Sequence, residues 1–236
     1  MQLRDDTIVA LSSAPGRAAI ALVRMTGTTA HAIGRSLASR WPEQARTATL
    51  AMIRDPRNGS DVDQVLLTRF DAPSSYTGED MVELACHGGV AVTTALLDAV
   101  IAQGARPALP GEFTQRAVIH GKLDLLQAEA IGDLVESRTS AARGLALAQL
   151  HGRLSSRIHA LREAVLHIEA LLAYDLDFPE EDDGPISADV VTRAAHAVIA
   201  EIDTLLATAP LAEGTEWFHR LHTPGNNLMK VILNPT

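Results

Sequence analysis

Pro110-Gly111-Glu112-Phe113-Thr114-Gln115-Arg116-Ala117, continued by Gly121-Lys122-Leu123-Asp124-Leu125-Leu126-Gln127-Ala128-Glu129-Ala130, joins two chemically different halves of the chain. Before it, short apolar runs alternate with Gly/Pro turns, as short strands and tight connections do. After it, apolar residues fall into helical spacing and keep it. Pro-Gly followed by an acid predicts a helix entry, because the turn stops the preceding element and Glu112 suits the positive end of a helix. Lys122, next to the flexible Gly121, falls between two predicted helices. It is either a solvated hinge residue or a placed anion ligand.

The composition bounds both halves. Of 236 residues, 47% are apolar but only 3% aromatic, so the core is built from Ala, Leu, Val and Ile. A net charge of −9 argues against broad electrostatic binding of nucleic acid, which needs a basic face. No run approaches the length of a membrane span. The acids Asp5 and Asp6 stand where a secretory signal would carry bases. The single cysteine, Cys86, excludes an intrachain disulfide and fits a reducing cytosol.

Upstream of the junction, strands are expected at 7–12, 19–25, 47–53, 62–70 and 81–87, and helices at 28–39 and 90–102. The run Ala19–Met25 is nearly continuous in apolar residues and predicts a strand covered on both faces. Arg24 interrupts it, either as an edge residue reaching for water or as a cation facing a ligand. The polar turn 54–61 makes the third and fourth strands a hairpin. Glu83 lies inside an apolar run, where an unpaired carboxylate is costly. It requires a solvated face, a cation such as Arg24 or Lys122, or the donor-rich edge of a ligand. Tyr76, one of two tyrosines, lies in the turn-rich loop 73–80 and suits a buried or stacking role. His87-Gly88-Gly89 is either a tight strand-to-helix turn or a set of amides turned toward an anion. No metal set accompanies Cys86 and His87, since no second cysteine or spaced histidine pair completes one.

Downstream, Leu147, Leu150, Leu154, Ile158, Leu161, Val165, Ile168 and Leu172 recur every three or four residues. That predicts one helical seam spanning roughly 40 Å and needing partner helices, capped by Thr139 or Ser140. The acidic stretch 175–184 ends it, and Ser187 caps a last helix over 188–206. The segment after Ala209 carries Trp217, His219 and His222 without a helical seam.

Taken together, these motifs resemble the amino-terminal part of the MnmE (TrmE) family of tRNA-modification GTPases. The matching stretches, in family order, are Asp6-Thr7-Ile8 with Ala14-Pro15-Gly16-Arg17, Leu22-Val23-Arg24 with Gly27, and Ser75-Tyr76-Thr77-Gly78-Glu79-Asp80. They continue with Val82-Glu83-Leu84 and His87-Gly88-Gly89, the two junction motifs quoted first, and Asp177-Phe178-Pro179-Glu180-Glu181. The resemblance implies an α+β fold: a small mixed-sheet, folate-binding and dimerising domain over 1–118, then an all-α partial helical domain over 119–209, with 210–236 an unassigned tail.

The resemblance also implies a function. In this family a reduced folate, 5-formyl- or 5,10-methylenetetrahydrofolate, is thought to supply a carbon. With the flavin-dependent partner MnmG (GidA), the family modifies C5 of the tRNA wobble uridine in the cytoplasm. Arg24, Glu83 and Lys122 match its folate-contacting positions. The sequence departs from the family in having no G-x-x-x-x-G-K-[ST] phosphate loop, so the GTP, Mg and K sites are absent from these 236 residues. The family's terminal cysteine motif is also absent, and His120 stands where asparagine is usual. The chain is therefore expected to be a shortened member that binds folate and forms a homodimer without hydrolysing GTP. No catalytic residue is assigned. The alternative expectation is a helical scaffold that pairs through the seam with itself or with an intact MnmE. A folate-dependent aminomethyltransferase fits the long helical half less well.

Overall fold

A computed structural model describes residues 6–177 and 187–208. They form two compact units that part between Asp124 and Leu125. The first unit is a six-stranded mixed sheet with three helices, and the second is all helix, in the α+β arrangement expected.

The strands are β1 (Ile8–Leu11), β2 (Ile20–Thr26), β3 (Thr49–Arg54), β4 (Asp61–Phe70), β5 (Met81–His87) and β6 (Arg106–Pro107). They lie in the order β3-β4-β5-β2-β1-β6. All neighbours are antiparallel except β1 and β6, which makes the sheet mixed. Helices α1 (Ala30–Leu37) and α2 (Val90–Ala102) supply Ile33, Leu37, Leu96 and Val100 to the core, against Val23, Met25, Val65, Leu67, Val82 and Leu84 of the strands. Helix α3 (Glu112–Ile119) follows β6.

Strand β2 differs from the two-sided strand its composition suggests. It alternates: Ala21, Val23 and Met25 are buried, whereas Leu22 and Arg24 are half-buried and Ile20 is 68% exposed. Helices α1 and α2 pack against one face and leave the other open to solvent and to loop contacts, as antiparallel sheets permit. Strand β5 alternates in step, with Val82, Leu84 and Cys86 inward and Glu83, Ala85 and His87 outward. Burial pushes the Cys86 thiol pKa up.

The Gly88 turn is tight. Its amide donates to the Ala19 carbonyl and its carbonyl accepts from Ala18, so that amide is already engaged. A side chain at Gly88 would meet the Ala18 carbonyl oxygen at 2.4 Å. The hairpin between β3 and β4 is held by Asp55, whose carboxylate accepts from the amide and guanidinium of Arg57. Those bonds lower its pKa to about 2. After α3 the chain folds back: Gly121 donates to the Val118 carbonyl and Lys122 to that of Ala117. Lys122 thus belongs to the sheet unit.

The helical unit comprises α4 (Leu125–Glu136), α5 (Ser140–Leu150), α6 (Arg153–Asp177) and α7 (Ala188–Thr208). Thr139 caps α5 by accepting from Ala142, and Ser187 accepts from Asp189 at the start of α7. The predicted single seam is two helices. Gly152, at φ +76°, turns the chain between α5 and α6 while the 3–4 spacing runs on across the break. Gln127 and Gln149 tie α4 to α5 by donating to the carbonyls of Leu150 and Leu126. Arg157 of α6 pairs with Glu201 of α7 at 2.8 Å. The histidines at 151, 159 and 167 are exposed. The acidic stretch beyond Asp177 and the segment after Thr208 lie outside the described residues. Among the described residues, no helix is long and apolar enough to cross a membrane, and no group of three or more His, Cys, Asp or Glu is placed to hold a metal.

Candidate ligand-binding site

Arg24 and Glu83 are directly opposite each other in the antiparallel pairing of β2 with β5. Both project from the open face of the sheet. Arg24 donates through Nε and Nη2 to the same carboxylate oxygen, Glu83 Oε1, at 2.9 and 2.7 Å. Of the partners the sequence left open for Glu83, Arg24 is the one it takes. Among the described residues, Oε2 of Glu83 has no hydrogen-bond partner of its own. The side chains are 24% and 20% exposed, enough for a ligand to reach them.

Arg24 is fixed by more than its acid. Its guanidinium lies 5.3 Å from the ring centroid of Tyr76 and 5.9 Å from that of Phe113. The Tyr76 hydroxyl is 2.9 Å from that of Thr114. The loop 71–80 is therefore tied to the first turn of α3, and Tyr76 takes the stacking role its sequence position suggested.

Lys122 reaches the same place from the turn after α3, its Nζ donating to the Pro73 carbonyl at 3.0 Å. Arg24, Glu83 and Lys122, separated by up to 98 positions in sequence, line one cavity of about 340 Å³ with Arg46, Phe70, Ser74, Ser75, Tyr76 and Met81. A second cavity of about 420 Å³ lies beyond the Arg24–Tyr76 wall, floored by Leu11, Leu109 and Phe113. Chemically, the first can accept hydrogen bonds from a donor-rich edge at Glu83 and hold anionic groups on its cations.

Two features of this site have no role in the sequence reading: Arg46 lies in none of the matching stretches, and the hub residues Asp6, Glu79, Glu112 and Arg116 lie in them without a partner being legible. Arg46, in the loop after α1, donates to the Ser74 carbonyl at 2.8 Å and lines the cavity. Its φ of +62° is the only positive value among the described non-glycine residues. The second feature is a buried ionic hub behind loop 71–80. Arg116, with its side chain 3% exposed, donates to both oxygens of Glu79, to the Asp6 carbonyl and carboxylate, and to Glu112. Glu112 also receives Arg106 and the Leu109 amide. Burial alone would raise the Glu112 carboxyl; the hydrogen bonds from Arg106, Leu109 and Arg116 outweigh it and hold its pKa below the usual value. Asp6 is lowered in the same way, burial being outweighed by Arg106 and Arg116. The hub extends to Thr26, which bonds Glu79 and Thr77.

Gly78 completes the loop at φ +81°, where a side chain would meet His120 Cβ at 2.9 Å and Lys122 Cγ at 3.3 Å. His120 in turn contacts the Thr77 carbonyl through Nδ1 at 2.7 Å. The loop and the Lys122 turn therefore pack as one piece.

Residues 7–122 match the family model described as GTP-binding protein TrmE N-terminus, and residues 125–215 match that described as MnmE helical domain. Among curated proteins, the chain is similar to the tRNA modification GTPase MnmE of Phenylobacterium zucineum, 44% identical over 212 residues, which cover 89% of this chain and 46% of that protein. The corresponding protein of Thermus thermophilus is 42% identical over 212 residues, covering 89% and 48%. That of Shouchella clausii is 41% identical over 208 residues, covering 86% and 45%. The chain spans about half the length of the curated relatives it matches.

Proposed function

The chain belongs to the MnmE (TrmE) family of tRNA modification GTPases, and from that premise we propose that its sheet unit binds a reduced folate at the cavity lined by Arg24, Glu83 and Lys122. The observation that carries this reading is the convergence of an acid with one uncommitted oxygen and several cations on a single cavity. Its volume of about 340 Å³ falls at the small end of small-molecule sites, which run from about 300 to 1,000 Å³. That suits the bicyclic pterin head, with the remainder of the molecule leaving through the mouth.

The residues present fit the group. The pterin edge offers an N–H beside an amino group, and a carboxylate is the acceptor that matches such a pair. Arg24 holds Glu83 in place, so the acceptor is oriented before the ligand arrives. Tyr76 and Phe70 supply apolar walls at that end. When bound, 5-formyl- or 5,10-methylenetetrahydrofolate supplies the one-carbon unit. The chain's own residues bind and orient it, and no catalytic residue is assigned.

In this account the chain forms a homodimer through the sheet unit. It contributes the folate-binding part of a cytoplasmic system that, with MnmG, modifies C5 of the tRNA wobble uridine. These 236 residues contain no phosphate loop, so GTP hydrolysis is not attributed to them. Calorimetric titration of 5-formyltetrahydrofolate against the wild type and Glu83→Ala tests the reading. It predicts binding by the wild type and at least about tenfold weaker binding by the variant. Equal affinities, or no binding by either, count against the site.

A second reading rests on a different observation. Ile158, Val165 and Leu172 of the seam are 44%, 48% and 48% exposed, and a helix–helix scaffold would use them. A folate-independent dimer in light scattering that dissociates on Leu161→Glu would favour that reading.

A further inference from the structure

The cavity has an inner end and a rim, and its charges are divided between them. Arg24 lies at the inner end and is paired with Glu83. Arg46 and Lys122 lie exposed at the rim. Among the described residues, no carboxylate pairs with either. Each instead donates to a backbone carbonyl, Lys122 to that of Pro73 and Arg46 to that of Ser74, at 3.0 and 2.8 Å. Two cations from different segments of the chain thus end on two consecutive carbonyls. One hydrogen bond leaves an ammonium two further donors and a guanidinium four, and a neutral carbonyl leaves both charges uncompensated.

Arg46 pays for its place in backbone strain. Its φ of +62° belongs to the left-handed region that non-glycine residues rarely adopt. Its amide is pinned to the Arg69 carbonyl at 2.8 Å. Among the described residues, the only hydrogen bond its guanidinium makes is solvent-exposed, a kind that returns little stability. Glycine would make this turn without strain. An arginine there is better accounted for by what its side chain meets at the cavity mouth.

We infer that Arg46 and Lys122 bind the carboxylates of the ligand's tail, and that Arg46 makes the site select glutamate-bearing folates over pterins that lack the glutamate. This rests on the folate reading above and orients the ligand within it, head against Glu83 and tail at the rim. A guanidinium fork engages a carboxylate through two parallel hydrogen bonds, which a lysine in its place cannot reproduce.

The test measures the affinities of 5-formyltetrahydrofolate and of 5-formyltetrahydropteroate, which lacks the glutamate and ends in a single benzoate carboxylate, with melting temperature as the folding control. The wild type is expected to bind the folate about tenfold or more tightly than the pteroate. Arg46→Gly, relieved of strain, should melt no lower than the wild type, lose about tenfold for the folate and keep its pteroate affinity. Arg46→Gln should show the same loss, and Arg46→Lys should recover part of it. Variants that bind the folate as the wild type does, or that weaken both ligands alike, overturn the inference. A wild type that binds both ligands equally overturns it while leaving the folate reading standing. A wild type that binds neither overturns both.

Discussion

Arg24 and Glu83 face each other across β2 and β5, and the arginine gives two hydrogen bonds to one oxygen of the acid. The pair does two things at once. It solves the problem of a carboxylate in an apolar strand, and among the described residues it leaves the second oxygen without a hydrogen-bond partner. If the arginine acts by holding the acid, the two residues are coupled. Arg24→Ala is expected to weaken folate binding about as much as Glu83→Ala, and the double variant little further. Additive losses in a double-mutant cycle would mean that each residue meets the ligand independently.

Arg116 anchors the loop that carries Tyr76, and its side chain is almost fully buried among three acids. Removing one partner from such a cluster leaves uncompensated buried charge, which costs about 3–5 kcal/mol. Arg116→Met should therefore shift the urea midpoint strongly. Arg54→Met, which breaks the exposed pair with Asp61, should cost less than about 1 kcal/mol. Similar shifts for the two variants would refute the assignment of Arg116 as the anchor.

Glu112 and Asp6 make stability depend on pH. Both have folded pKa values below their ordinary ones, so in acid the unfolded chain binds more protons than the folded one. Their contribution is complete above the unfolded values of about 4 and is lost as pH falls through the folded values. Melting temperature should stay level from pH 7 to about 5 and fall below that. Glu112→Gln should lower it at pH 7 and flatten the acid slope. An unchanged slope in the variant would place the acid sensitivity elsewhere.

Gly78 connects backbone geometry to the site. Its φ is +81°, and a side chain would press on His120 and Lys122. Gly78→Ala is expected to destabilise by about 1–3 kcal/mol and to weaken folate binding as well, since Lys122 must shift. A variant that loses stability but binds folate normally would show that the loop can yield without moving the lysine.

How much of this was legible beforehand follows from the range of each signal. Strand β5 and helix α2 match the sequence reading residue for residue, because period-two alternation, a Gly-Gly turn and a continuous apolar run are local. Strand β6 escaped: two residues, one of them proline, carry no period. Gly152 escaped because the seam keeps its spacing across the break. The need of Glu83 for a partner was legible in its apolar surroundings. The choice of Arg24 depends on the pairing of β2 with β5, 59 residues apart, which no local pattern encodes. The Arg116 hub joins residues up to 110 positions apart, and the left-handed backbone of Arg46 follows from packing rather than from residue type. The motifs that support the family resemblance contain Arg24, Glu83, Lys122 and the hub residues but not Arg46. They do not give the distances.

The most direct measurement is a crystal structure of the chain bound to 5-formyltetrahydrofolate. The account predicts the pterin N–H and amino groups within about 2.7–3.2 Å of the Glu83 carboxylate, with Arg24 still on Oε1 and the glutamate tail at Arg46 and Lys122. A ligand bound elsewhere, or one that leaves Glu83 facing water, would contradict it.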